Sequence, residues 1–181
     1  MFSTIVAPAQ PASKSSVPSA TFQKISVDHN VTEAGKRGMR IHTAFKVFGM
    51  KGVSSYLQIK FQKRDGTALL DINGAFDHKD GSVAAFRELK PALDAEIYED
   101  LTVFMPYDEL DLPAGKYQLK MDVDVILENG DLVQHLTLYD FDFTQPAKTP
   151  PVKTASTPSA TFQKIWVDYD FMEAGKRGMR I

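Results

Sequence analysis

"LPAGKYQLKMDVDVILENGDLVQHLTLYDFDF", residues Leu112 to Phe143, is the stretch that decides the fold class. From Tyr117 to Leu127, apolar Tyr117, Leu119, Met121, Val123, Val125 and Leu127 alternate with Gln118, Lys120, Asp122 and Asp124. A period of two puts successive side chains on opposite faces of a strand, so one face is core and the other is solvated. Asn129-Gly130 follows, a pair that tolerates positive φ and favours a tight two-residue hairpin. The returning strand runs from Leu132 to Phe143. In a two-residue hairpin Leu132, Leu136 and Leu138 would share the apolar face, and Tyr139, Phe141 and Phe143 would fall on the other. A one-residue slip exchanges the two faces, so a bulge near Leu138 is expected to restore the phase.

The same alternation recurs outward from this hairpin. Phe22 to Asp28 reads as a strand, and Met39, Ile41, Thr43, Phe45 and Val47 share one face of the next. Leu57, Ile59 and Phe61 point in while Gln58, Lys60 and Gln62 point out. Val83 to Leu89 and Leu101 to Met105 are further strands, with a single helical turn expected between Leu93 and Leu101. No segment sustains a helical period. The pattern predicts an all-β, immunoglobulin-like antiparallel β-sandwich of about seven or eight strands. Gly115 and Tyr117 sharpen this, because a Leu-Pro-x-Gly turn before a Tyr that opens a core strand resembles a tyrosine corner, whose hydroxyl bonds upstream backbone.

An internal repeat sets the domain organisation. Pro18 to Ile41 and Pro158 to Ile181 match at 19 of 24 positions, offset by 140. The Pro-, Ala- and Ser-rich residues 1–20 read as a flexible lead-in, 21–144 as the sandwich domain, 145–160 as a Pro-rich linker and 161–181 as a partial copy of the domain's first segment. The partial copy is expected to be a mostly disordered or loosely docked tail of a monomer, with strand exchange through residues 161–181 as a minor, concentration-dependent state.

The residues "HNV", "GKRGMRIH" and "FKVFGMKG" between His29 and Gly52, with "FMPYDEL" (Phe104 to Leu110) and "GKYQLK" (Gly115 to Lys120), are similar to a family of uncharacterised bacterial β-sandwich domains. The resemblance spans Thr21 to Thr144 and implies a fold, with no activity attached. The family pattern often has Trp a few residues before the His-Asn pair; here Ser26 stands there, while the partial copy has Trp166 but replaces the pair with Tyr169-Asp170.

The chemistry on offer is sparse. The net charge of -2 gives no reason to expect nucleic acid or an anionic membrane as partner. With no cysteine, disulfides and thiolate metal sites are excluded, and a reducing, cytoplasmic setting is expected. No apolar run nears the roughly 20 residues of a membrane span, and the N-terminus lacks a signal-peptide pattern. Asp71, Asn73, Asp77 and Asp80 offer oxygen ligands in one loop, a weak calcium candidate whose residue types also suit turns. His29, His42, His78 and His135 lie at no metal-binding spacing. Asp122, Asp124, Asp140 and Asp142 read as a solvated hairpin face. The copies differ at His29, Asn30, Val31 and Thr32 in one contiguous run, expected to form the turn after the first strand and hence a binding-loop candidate. The expectation is a domain with no catalytic residue, metal or cofactor: a binding or spacer module for a protein partner from a tandem-repeat protein. The alternative is a ligand- or carbohydrate-binding accessory domain of a larger enzyme.

Overall fold

The computed structural model describes residues 17–147, together with the backbone of 168–173 and 176–180. Residues 1–16 of the expected lead-in, most of the linker and the strand at Phe162 lie outside the described residues, and the first strand begins at Ser19, inside the stretch expected as lead-in. The chain divides into two units at Ala147/Lys148.

The first unit is an antiparallel β-sandwich. Strands β1 (Ser19–Glu33), β2 (Lys36–Phe48) and β5 (Ala95–Pro106) form one sheet in the order β1-β2-β5. Strands β3 (Ser55–Lys63), β4 (Ala84–Leu89), β6 (Gly115–Leu127) and β7 (Leu132–Gln145) form the other in the order β4-β3-β6-β7. The inner faces share one core. Met39, Ile41, Phe45 and Val47 from β2 meet Leu57, Ile59 and Phe61 from β3 and Leu119, Met121, Val123 and Val125 from β6, all with no exposed surface. The alternation read from the sequence is thus the burial pattern. Each such side chain removed from water is worth about 1.5–3 kcal/mol.

Three expectations are corrected. The first strand does not stop at Asp28; it runs to Glu33, and the turn is Ala34-Gly35, both at positive φ. His29 to Thr32 therefore belong to β1 and not to a turn. The segment 95–100 is the first half of β5, and the helical turn lies later, as a single 3-10 turn at Tyr107–Leu110. The hairpin at Asn129-Gly130 has a three-residue loop: Gly130 N bonds Leu127 O at 2.9 Å, and Leu127 N bonds Asp131 O at 2.8 Å. Gly130 takes the positive φ of 89°, while Asn129 stays at negative φ. Its side chain instead accepts from Asp131 N at 3.0 Å, an Asx turn.

Bulges set the register of both long hairpins. In β1 the extra residues are Gln23 and Asn30. In β7 they are Leu136 and Val133, so the phase switch sits at Leu136, two residues before the expected Leu138. Leu136 turns inward and is buried, Leu138 stays exposed, and Tyr139, Phe141 and Phe143 pack on the core.

In the second unit, β8 (Asp168–Glu173) and β9 (Lys176–Arg180) pair with each other. Asp168↔Arg180, Tyr169↔Met179, Phe171↔Gly178 and Glu173↔Lys176 repeat Asp28↔Arg40, His29↔Met39, Val31↔Gly38 and Glu33↔Lys36, including the one-residue irregularity. The backbone of these residues is thus paired within the copy itself.

Candidate functional site

The outward face of the four-stranded sheet should be polar, because its inward face is the core. Across one row stand Phe86 (β4), Gln58 (β3), Asp124 (β6) and His135 (β7), each the register partner of the next. The adjoining row on one side carries Tyr56, Ile126 and Leu132, and on the other Lys60, Asp122 and Leu138. One half of the face is therefore apolar and the other half charged.

The long β3–β4 connection covers part of this face. His78 stacks on Phe86 with ring centroids 6.3 Å apart, and Phe86 meets Tyr56 edge-on at 6.4 Å. Lys60 Nζ lies 3.6 Å from Asp80 Oδ2. Beneath the loop is an open groove of about 470 Å³, walled by Tyr56, Phe86, His78 and Ile126 and rimmed by Asp77, Lys79 and Glu128. Ile126 is buried but stands apart from the core cluster. Gln58, also on this wall, is only 3% exposed, and its Nε2 has no hydrogen-bond partner. A buried amide donor left unbonded costs about 1–3 kcal/mol, so the arrangement calls for a compensating role. A second depression of similar size, near Tyr117 and Phe143, is lined mainly by the strand residues Lys116, Gln118, Asp142 and Thr144.

The charged half contains a convergence that sequence spacing hid. Ligand atoms of Asp122, Asp124 and His135 lie within 4.8 Å of one another. His135 Nδ1 is 3.0 Å from Oδ1 of each aspartate. The Asp124 carboxyl is pushed above the usual range by burial, an effect opposed by its hydrogen bond with His135. The aspartates were legible as outward residues of β6. His135 reaches them because the bulges at Val133 and Leu136 reset β7 around it.

The calcium candidates do not converge on a common point; they organise their own loop. Asp71 accepts from the backbone N–H of Asn73, Gly74 and Phe76 at 3.0, 3.1 and 2.9 Å. Asn73 accepts from Ala75 N at 2.8 Å and donates to Glu109 at 3.0 Å. Asp80 is partly desolvated, yet hydrogen bonds from Ser82 and His78 hold its carboxyl well below the usual range. Asp77 lies at the groove rim.

His29 to Thr32 serve the hairpin end. Asn30, at φ 62°, donates its backbone N–H to Tyr107 Oη at 2.8 Å, and its side chain accepts from Arg37 at 2.6 Å. Tyr117 Oη donates to Pro113 O at 2.8 Å, the expected tyrosine corner. Gly115 lies under its ring, where a Cβ would sit 3.5 Å away in ordinary contact.

No family model, curated protein or solved structure matches this chain.

Proposed function

We propose that the sandwich is a non-catalytic binding module that takes an apolar side chain of a protein partner into the groove between the Tyr56–Ile126 row and the 77–79 segment. The observation that carries this reading is the apolar half of an outward face. Phe86, 40% exposed, and Leu132, 61% exposed, continue a strip with Tyr56 and Ile126 where strand alternation calls for polar residues. Such a strip beside a built groove marks a binding surface. The rim supplies charges of both signs to orient a peptide. The strand order and the tyrosine corner support the immunoglobulin-like reading, with β4 paired to β3. The glycan alternative is less favoured by the aromatic geometry: Tyr56 and Phe86 meet at 86°, so they offer no coplanar platform for a sugar ring.

Selection of displayed peptides and a glycan array, both against the full chain, tests the reading. The expected result is peptides sharing an aromatic or aliphatic anchor, with amide shifts changing at Tyr56, Phe86 and Ile126. Affinity should fall in Phe86→Ala by at least about tenfold, the weight of a buried anchor. Peptides that perturb other surfaces, or ligands found only among glycans, would overturn it.

A further inference from the structure

We infer that Asp122, Asp124 and His135 form a binding site for a divalent transition-metal ion, with Zn²⁺ the best-matched ion. The inference rests on the charged half of the face and shares one residue, Gln58, with the groove wall.

The donor set is two carboxylates and one imidazole, all contributed by the paired strands β6 and β7. Imidazole with carboxylate suits Zn²⁺ and its neighbours better than Ca²⁺ or Mg²⁺, which prefer oxygen alone. In a tetrahedral site with metal–ligand bonds of about 2.0–2.1 Å, donor atoms lie roughly 3.3 Å apart. The two observed nitrogen–oxygen separations of 3.0 Å are near that spacing.

A proton does not satisfy this arrangement. Nδ1 of His135 carries at most one hydrogen, and it bonds Asp124. Oδ1 of Asp122 is buried and left without a hydrogen-bond partner, although the same nitrogen is 3.0 Å away. A cation on the open side of that nitrogen would serve both carboxylates at once.

The second, separate observation is Gln58. It is the register partner of Asp124 on the same outward face, 97% buried by its exposure of 3%, with Nε2 unbonded. Half a turn of the amide brings Oε1 to the place of Nε2. There it would present an acceptor, which an amide donor lacks, on the strand position next to Asp124. Lys60, the register partner of Asp122, faces the same cluster, but its ammonium also lies 3.6 Å from Asp80. The carboxylate pair is thus only partly neutralised from that side.

Titration calorimetry with ZnCl₂ on the chelator-stripped full chain tests the site. The expected result is one saturable ion per chain. Asp124→Asn and His135→Ala should each weaken it by more than about 100-fold, beyond the roughly 10–100-fold that loss of a mere outer-shell partner costs. His42→Gln, which alters a histidine set between Asp28 at 3.3 Å and Asp100 at 2.7 Å on the other sheet, should leave it unchanged. The His135 imidazole ¹⁵N shift of the wild-type chain should move on Zn²⁺ addition, a readout that survives if a variant fails to fold. Asp122→Asn, on a partly exposed residue, gives a further independent variant. Absence of saturable binding, binding unaltered in the cluster variants, binding lost in His42→Gln, or an unmoved His135 resonance would each overturn the inference.

Discussion

The β1–β2 and β6–β7 hairpins use the same irregularity for different ends. Each carries two one-residue bulges. In β1–β2 the bulge at Asn30 frees a backbone N–H, and Tyr107 Oη captures it at 2.8 Å. The hairpin end is then clamped to the end of β5 and the turn that follows it, with Gly38 opposite Pro106 and Lys36 on Glu109 at 2.7 Å. In β6–β7 the bulge at Leu136 sends one apolar side chain inward, and His135 lies beside two aspartates of β6. A bulge is a local change of phase. What it accomplishes depends on which groups its neighbours hold out to it.

The largest test strikes the clamp. A Cβ at Gly38 would lie 2.3 Å from Met105 O and 2.7 Å from the Phe104 ring, so Gly38→Ala must push β5 off β2. We expect a loss of about 3 kcal/mol or more, the upper range of overpacking, and no sharp thermal transition. A wild-type melt would show that the close approach is dispensable. On the other hairpin, Leu136→Ala leaves a hole under the bulge and should cost about 2–5 kcal/mol by chemical denaturation. A cost below that of an exposed leucine such as Leu138 would mean that the bulge does not anchor β7.

Tyr107→Phe keeps the ring against Phe143, 5.0 Å away, and removes a part-buried bond between the Asn30 N–H and the hydroxyl of a buried tyrosine. The expected cost is about 1–3 kcal/mol. Tyr117→Phe removes a similar bond, but Pro113 O is exposed and water replaces the hydroxyl, so about 0.5–1.5 kcal/mol is expected. Equal costs for the two tyrosines would break the distinction between a clamped and a solvated partner.

The smallest effect is pH-dependent. Hydrogen bonds from Lys36 and Asn73 hold the Glu109 carboxyl below its usual range. A depressed acid contributes stability above its unfolded pKa, and that contribution is lost as pH falls through the folded value. Wild type should therefore lose stability relative to Glu109→Gln as pH drops below the ordinary glutamate range. Parallel stability–pH curves would exclude the clamp as a source of acid sensitivity.

The core strands were legible because Leu57, Ile59, Phe61 and the Leu119–Val125 series are buried on one face only, and a period of two survives any loop path. The first half of β5 was not, because Ala95 to Asp100 lies at an edge, where Ile97 is 52% exposed and little burial enforces a pattern. Asp122 and Asp124 could be read as outward. Their convergence with His135 could not, since it requires two bulges whose positions no single residue announces. Gln58 points outward as expected, yet the loop that carries Asp77 to Asp80 covers it, and a loop's route leaves no periodic trace.

The repeated register of β8–β9 bears on the order of events during synthesis. That hairpin keeps its irregular pairing as a two-stranded sheet, so the register is written in the nine shared residues Glu33–Ile41 and Glu173–Ile181 and their immediate neighbours. On the ribosome, β1 and β2 emerge well ahead of Pro106. At about 5–20 residues per second the intervening chain takes several seconds to appear, whereas hairpins form within about 1–10 μs. A hairpin able to choose its own alignment can hold it through that interval, so that β5 on arrival meets an edge already in phase.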